Sequence, residues 1–359
     1  MDRGSTEYLA AVKVLAVSTF FPRAGAESAG IFVRREVLAL RALGVEVEEL
    51  ETSYRRSPRA SWAAFRARVR ESRPDLVNVY FGSAGAFAAA LACPCPLVLT
   101  LGGSDLFGRA HRDPWWEQMV STAAAACSQL SAPSADAVVV RSERLRQALL
   151  LGHERRRATV IPAGVDTTLF RPMDRAAARR ALGWDPEAVV VLFAASRHRA
   201  VKRFDRAQAA IERLGTLGVD VRLESLEQVP PGRMPDYFNA ASCVLLTSQH
   251  EGSPNALKEA VACGCPVVAP PVGDVPEILS GVTPSRVVAP EPGPLATALK
   301  EVLAENRRSN GPERISAAFS LDVTAKRLRQ VYQDALAGWE AGRRYGWRKS
   351  LTGPKPRRY

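Results

Sequence analysis

Two short runs, AVVVLFAAS at 188–196 and CVLLTS at 243–248, stay apolar where an ordinary half-exposed strand would alternate with polar residues. A strand can be apolar on both faces only if both faces are covered. That condition is met in a parallel sheet flanked by helices, because the helical crossovers lie on its two sides. The rest of the chain fits this constraint. The spacing predicts a strand from Val12 to Phe21, a loop with Gly25 and Gly30, and a helix from Ile31 to Leu43 that stops at Gly44. The strand VEVEEL, a basic helical stretch, a strand at Leu76–Tyr80, a small-residue helix and a strand at Leu97–Leu101 follow. A second series begins after Phe170. It has the strand at 188–196, a helix at 204–215, the strand at 243–248, a helix at 255–263 and the strand PVVAP.

Two series of alternating strands and helices predict an α/β chain with two Rossmann-like domains. Its 359 residues are enough for two cores. The expected boundaries are 1–165 for the first domain and 166–321 for the second. A helix at 322–340 returns to complete the first domain, with Val323, Leu328, Val331 and Leu336 at helical spacing. Residues 341–359 read as a flexible basic tail.

The formal net charge of +12 favours anionic partners, and the arginines peak at 55–73 and 155–157. No zinc-finger, basic-zipper or aromatic RNA-stacking pattern accompanies the charge, so no nucleic acid is expected as partner. Trp62, Phe65 and Val69 fall near one face of the basic stretch. This pattern fits a helix lying on a membrane surface or one packed on its own domain, and the packed reading is preferred. The six cysteines have no zinc-ligand spacing and lie in apolar runs, which suits reduced thiols and a cytoplasmic setting. The apolar run AGAFAAALACPCPLVLTLGG is divided by Pro94 and Pro96 into halves too short to span a bilayer.

The chemistry concentrates in LLTSQHEGSPNALKEAVACGCPVVAPPVGDVPEIL, residues 245–279. A buried strand ends at Thr247, and a turn then exposes Glu251 and Gly252. Ser253 is positioned to cap the next helix, with Pro254 at its first position and Asn255, Ala256 and Leu257 in its first turn. Gly264 ends that helix and another buried strand follows. Ligands of parallel sheets sit beyond the carboxyl ends of the strands, and a helix N-terminus offers unpaired N–H groups to phosphate oxygens. Glu251 and Glu259 are pure acceptors, suited to sugar and ribose hydroxyls.

The segment E-GSPNALK-E followed by AVACGCPVV resembles the Glu-x7-Glu signature of family-4 retaining glycosyltransferases. VIPAGVDTTLFRP at 160–172 is similar to that family's inter-domain segment. FAASRHRAVKRFDRA at 193–207 is similar to its Arg-x4-Lys element, here Arg197 and Lys202. The resemblance implies a GT-B architecture, two Rossmann-like α/β/α domains facing across a cleft. It also implies a retaining, hexosyltransferase-type reaction. Arg197, Lys202 and Glu251 would act as catalytic residues, with Glu259, Gly252, Ser253, Pro254, Asn255, Ala256 and Leu257 binding the donor. The loops with Gly25 and Gly30, and with Gly102, Gly103 and Asp105, would line the cleft. Gly102 stands where many members have a histidine, which weakens any histidine-assisted step. Asp105 fits orienting the sugar or acceptor, or equally a turn.

The expected partners are a nucleotide-sugar donor, UDP favoured over GDP, and a glycan, lipid-linked or small-molecule acceptor. Peripheral contact at the inner face of the membrane goes with a lipid-linked acceptor. No cofactor and no metal are called for, because the cations take the metal's place at the diphosphate. A nucleotide-sugar epimerase or hydrolase on the same fold is the alternative.

Overall fold

The structure, a computed structural model, describes residues 12–23, 25–26, 28–54, 56–107 and 115–342. Arg55, His111 and the basic tail from 343 onward lie outside the described residues. The chain forms two compact units, Met1–Pro162 with Thr324–Tyr359, and Ala163–Val323.

Unit 1 holds β1 (Lys13–Ser18), β2 (Glu46–Glu51), β3 (Leu76–Tyr80), β4 (Leu97–Leu101), β5 (Ala137–Val140) and β6 (Thr159–Val160). They form one sheet in the order β2–β1–β3–β4–β5–β6, and every pairing is parallel. Both faces are buried, as continuous apolar strands require. Leu15, Val17, Val77, Val79, Leu97 and Leu99 face one core. Val14, Ala16, Leu76, Tyr80 and Val98 face the other.

The last helix, Leu321–Glu340, supplies Ala325, Leu328, Val331 and Tyr332 to that second core. Tyr332 also resolves a polar problem. Asn78 sits in the middle of a strand buried on both sides, where an unpaired amide would be costly. Its Nδ2 donates to Tyr332 Oη at 2.7 Å, and its Oδ1 accepts from Thr100 Oγ1 at 2.9 Å. Nearby, Arg141 donates to Glu36 at 2.8 Å, with both side chains almost wholly buried.

The helix Pro58–Ser72 turns Ser61, Phe65 and Val69 inward, and Phe65 and Val69 belong to the first core. The packed reading of this basic stretch fits, and Arg59, Arg66 and Arg70 remain exposed on it. Among the described residues, no helix is long and apolar enough to cross a membrane.

Unit 2 holds β7 (Val190–Phe193), β8 (Arg222–Ser225), β9 (Cys243–Leu245), β10 (Val267–Ala269) and β11 (Arg286–Val287). The order β11–β10–β9–β7–β8, again wholly parallel, repeats the order of the first five strands of unit 1. Leu192, Val244, Val267 and Ala269 bury one face, and Val191, Phe193, Cys243, Leu245 and Val268 bury the other. Where the chain enters and leaves this unit, Val165 and Ser320 form a parallel bridge. Val165 N donates to Phe319 O and Leu321 N to Val165 O, each at 2.8 Å.

Several boundaries differ from the sequence expectation. β1 ends at Ser18 rather than Phe21, because Ser18 Oγ accepts from Phe20 N at 3.1 Å and turns the chain out of the sheet. β7 occupies only Val190–Phe193 of the apolar run 188–196. β9 stops at Leu245.

Candidate active site

The direction of connection reverses between β1 and β3 in unit 1, and between β7 and β9 in unit 2. Loops leaving such a strand pair diverge and open a crevice at the carboxyl end, the usual ligand position in this sheet class. In unit 2 the segments after β7 and β9 are tied to each other. Thr247 Oγ1 lies 2.9 Å from both Lys202 O and Arg203 O, and Gln249 N donates to Val201 O at 2.9 Å. Arg203 takes φ 55°, a left-handed conformation at a non-glycine residue, which ends the turn Ala200–Lys202 and starts the helix Phe204–Thr216.

These ties deliver Lys202 to Glu251. Nζ stands 2.6 Å from Oε1, and the side chains are only 13% and 14% exposed. Burial pushes the Glu251 carboxyl upward, but the charge and hydrogen bond of Lys202 outweigh it and hold the group below its ordinary value. An ionised pair therefore spans the reversal point.

Arg197 is on the same loop but turns elsewhere. Its backbone N donates to Glu227 Oε1 at 2.8 Å, its Nε lies 3.5 Å from the same oxygen, and its side chain is 54% exposed. Glu259 lies on the helix Asn255–Ala262, half-buried, one turn beyond Asn255. Asn255 Oδ1 is buried without a hydrogen-bond partner.

The start of that helix corrects the sequence expectation. Pro254, not Ser253, is the N-cap, and the helix begins at Asn255. Ser253 Oγ is engaged from two sides instead. It donates to Asp274 Oδ2 at 2.7 Å and accepts from Lys258 Nζ at 2.8 Å. Lys258 is 0% exposed and also donates to Ala163 O at 2.5 Å. Gly252, Pro254, Ala256 and Leu257 follow the same turn and first helical residues, with Pro254 and Leu257 buried. The helix closes at Gly264, where Gly264 N donates to Val261 O and Cys265 N to Ala260 O.

The segment before the next helix rests on the Glu251–Gly252 turn. A Cβ on Gly273 would lie 2.8 Å from Gly252 O and 3.0 Å from Glu251 O, so only glycine permits this approach. Sequence reasoning missed Lys258 and Asp274. A lysine inside the apolar stretch ALKEAVA was the available signal, since a buried lysine needs partners.

In unit 1 the loop residues surround the β1–β3 reversal. Gly30 takes φ 65°, and a Cβ there would lie 2.3 Å from Phe20 O. Phe81, just after β3, meets Phe20 and Phe32 edge-on at 6.0 and 5.5 Å. Gly25 lies in the preceding turn, where Ala26 N donates to Arg23 O. Asp105 is buried and turned to backbone. Its Oδ1 accepts from Gly102 N and Gly103 N, and its Oδ2 from Gly82 N and Gly102 N, at 2.6–3.0 Å. The turn role is thus the one its geometry supplies. A side chain at Gly102 would begin 3.1 Å from the Phe81 ring.

Comparison with known proteins bears on each unit. Residues 12–169 match the family described as Glycosyltransferase Family 4, and residues 188–305 match Glycosyl transferases group 1. The D-inositol 3-phosphate glycosyltransferase of Mycolicibacterium gilvum is 31% identical over 259 residues, covering 60% of this chain and 58% of that protein. The chain thus spans little more than half the length of this curated relative. Among solved structures, sucrose-phosphate synthase from Thermosynechococcus elongatus superposes with a TM-score of 0.71 at 20% identity, over 91% of this chain and 100% of that one. HepE of Anabaena, in complex with UDP-glucose, gives 0.63 at 18% identity, over 90% and 100%. The fold is GT-B, built from two Rossmann-like units.

Proposed function

Since the chain belongs to the family-4 and group-1 glycosyltransferases, we propose that it moves a sugar from a nucleotide-sugar to an acceptor with retention of anomeric configuration. The observation that carries this reading is the buried Lys202–Glu251 pair across the β7–β9 reversal. A lone buried ion pair is a poor source of stability, so its placement at a ligand crevice argues for use.

Lys202 supplies positive charge to the diphosphate as the sugar–phosphate bond breaks, which stabilises the leaving group. Glu251 orients the Lys202 ammonium and offers its remaining acceptor sites to sugar hydroxyls. The turn at Gly252–Ser253 and the N-terminus of the helix from Asn255 present backbone N–H groups to phosphate. Glu259 takes the ribose hydroxyls. Arg197 joins the diphosphate by exchanging Glu227 for phosphate oxygen. The acceptor oxygen attacks the anomeric carbon from the face the phosphate leaves. A glycosidic C–O bond forms, the C–O bond to phosphate breaks with its electron pair on the diphosphate, and a phosphate oxygen takes the acceptor proton.

UDP is the first nucleotide to test and GDP the second. The curated relatives are named for D-inositol 3-phosphate, so a phosphorylated polyol heads the acceptors to try. A thermal-shift series with nucleotides and nucleotide-sugars should raise the melting temperature with one nucleotide class, because a ligand bound only to the native state stabilises it. Retention is read from the anomeric NMR signals of the product. No shift with any nucleotide would end the proposal. Turnover of donor without acceptor, as epimerisation or as hydrolysis faster than transfer, would replace it with the epimerase or hydrolase reading.

A further inference from the structure

A cavity of about 600 Å³ lies within unit 2 at the amino ends of its strands. Val189, Val219 and Ser242 line it, each shortly ahead of β7, β8 or β9. Lys202 and Glu251 follow the carboxyl ends of β7 and β9, so the cavity and the ion pair lie at opposite edges of one sheet. The transfer reaction makes no use of this edge.

Four cations line the cavity, Arg175, Arg179, Lys300 and Arg307, against two carboxylates, Asp174 and Glu187. Arg307 pairs with Glu305 at 2.8 Å, and Lys300 donates to Leu217 O at 3.1 Å. Asp174 caps the helix Arg175–Leu182 by accepting from Ala177 N. Arg179 is 5% exposed, and its Nε, Nη1 and Nη2 donate to Ala240 O, Pro186 O and Ser242 Oγ. Arg175 Nη1 donates to Asn306 Oδ1 at 3.2 Å. All four acceptors are neutral. Among the described residues neither guanidinium makes an ion pair with a carboxylate.

Arg175 also opens its helix, where the backbone dipole is positive and a cation is disfavoured. Burial, and then the charge of Arg175, push the Arg179 guanidinium below its ordinary value, and Glu187 and Asp185 oppose this only in part. Positive charge is thus gathered on one wall with no carboxylate in contact, an arrangement that an anion would relieve. Val189, Val219 and Leu303 place apolar surface in the same cavity.

We propose that this cavity is a second anion site, apart from the donor crevice, that takes a phosphorylated small molecule with an apolar body. Arg175 grips the phosphate with its fork of N–H donors, and Arg179 adds its charge from the cavity floor. The apolar body lies against Val189, Val219 and Leu303. The cavity has the size of an ordinary small-molecule site.

The experiment is hydrogen exchange of the full chain, read by mass spectrometry, with inorganic phosphate and phenyl phosphate as probes at up to about 10 mM. Both probes should protect segments 174–190 and 300–307. Phenyl phosphate should bind roughly tenfold tighter, because its ring buries apolar surface. The same protection should persist in Lys202→Ala, which disables the donor crevice. Protection confined to segments 196–203 and 247–258, or none in either region, overturns the proposal.

Arg175→Gln should weaken phenyl phosphate by roughly tenfold, the loss of one charge-assisted contact. Arg66→Gln, an exposed arginine on the helix Pro58–Ser72, should leave the affinity unchanged. Equal weakening in the two variants would trace binding to the overall positive charge and overturn the site. If Arg175→Gln fails to fold, Arg307→Gln decides by the same comparison with Arg66→Gln.

Discussion

Lys202 Nζ and Glu251 Oε1 meet at 2.6 Å although 49 residues separate them, each placed by the loop that leaves one of two neighbouring parallel strands. Their contact is made by Thr247 and Gln249, whose hydrogen bonds to the Lys202 loop draw the two loops into one surface. Removing Lys202 therefore does two things. It deletes the cation and leaves a buried carboxylate uncompensated. Lys202→Ala should reduce turnover by roughly 10²–10³-fold, in the range seen when a leaving-group stabiliser is lost. Glu259→Ala should raise KM for the donor more than it lowers kcat. Steady-state kinetics with the donor identified by thermal shift would check both, and near-wild-type kcat/KM in Lys202→Ala would remove the ion pair from the mechanism.

The same pair predicts acid sensitivity. Glu251 is held below its ordinary value, so its contribution to stability is present above the unfolded value, about 4.3, and is lost as pH falls through the lower folded value. Replacing it by Gln should flatten the acid limb of a plot of unfolding midpoint against pH. An unchanged acid limb would show that Lys202 does not hold the carboxylate in solution.

Glu36 and Arg141 make a more deeply buried pair, in unit 1, at 2.8 Å. Glu36→Ala strands a guanidinium in the core and should cost about 3–5 kcal/mol in urea unfolding. The double replacement Glu36→Met with Arg141→Met should cost much less, because neither charge is left behind. Equal losses in the single and double variants would show that volume rather than charge governs the site.

Tyr332 connects the final helix to the middle of the first sheet through Asn78. Tyr332→Phe keeps the ring but leaves the amide of Asn78 short of an acceptor, at an expected cost of about 1–3 kcal/mol. The loss should vanish when Asn78 is replaced by Val in the same protein, measured as a double-mutant cycle.

The helix Pro58–Ser72 spends its apolar face on the unit 1 core, leaving arginines outward. Exposed charge alone is screened within about 8 Å at physiological salt. The protein should therefore stay in the supernatant when centrifuged with anionic vesicles at that salt. Cosedimentation that survives it would establish a membrane contact beyond simple charge.

The fold class was legible because strands covered on both faces leave an unmistakable composition. β3 and β4 run from Leu76 to Tyr80 and from Leu97 to Leu101, the limits their apolar runs set. The final helix, Leu321–Glu340, was readable from its apolar spacing. β6 and β11 are two residues each and carry no periodicity to read. The interior of the site was hidden for a different reason. Ser253 looks like a helix cap in isolation, and only the fold shows its hydroxyl donating to Asp274 and accepting from Lys258. Likewise the family resemblance implies a phosphate-binding Arg197, while Glu227, thirty residues later, engages it in the structure.

The bridge between Val165 and Ser320 brings the entry and exit of unit 2 side by side. A stretch of chain whose two ends touch can be removed as a cassette or rejoined head to tail by a short linker, with new termini opened at an exposed loop. Evolution can exchange such a cassette between proteins without re-engineering the host. The two units of one polypeptide can then have separate ancestries.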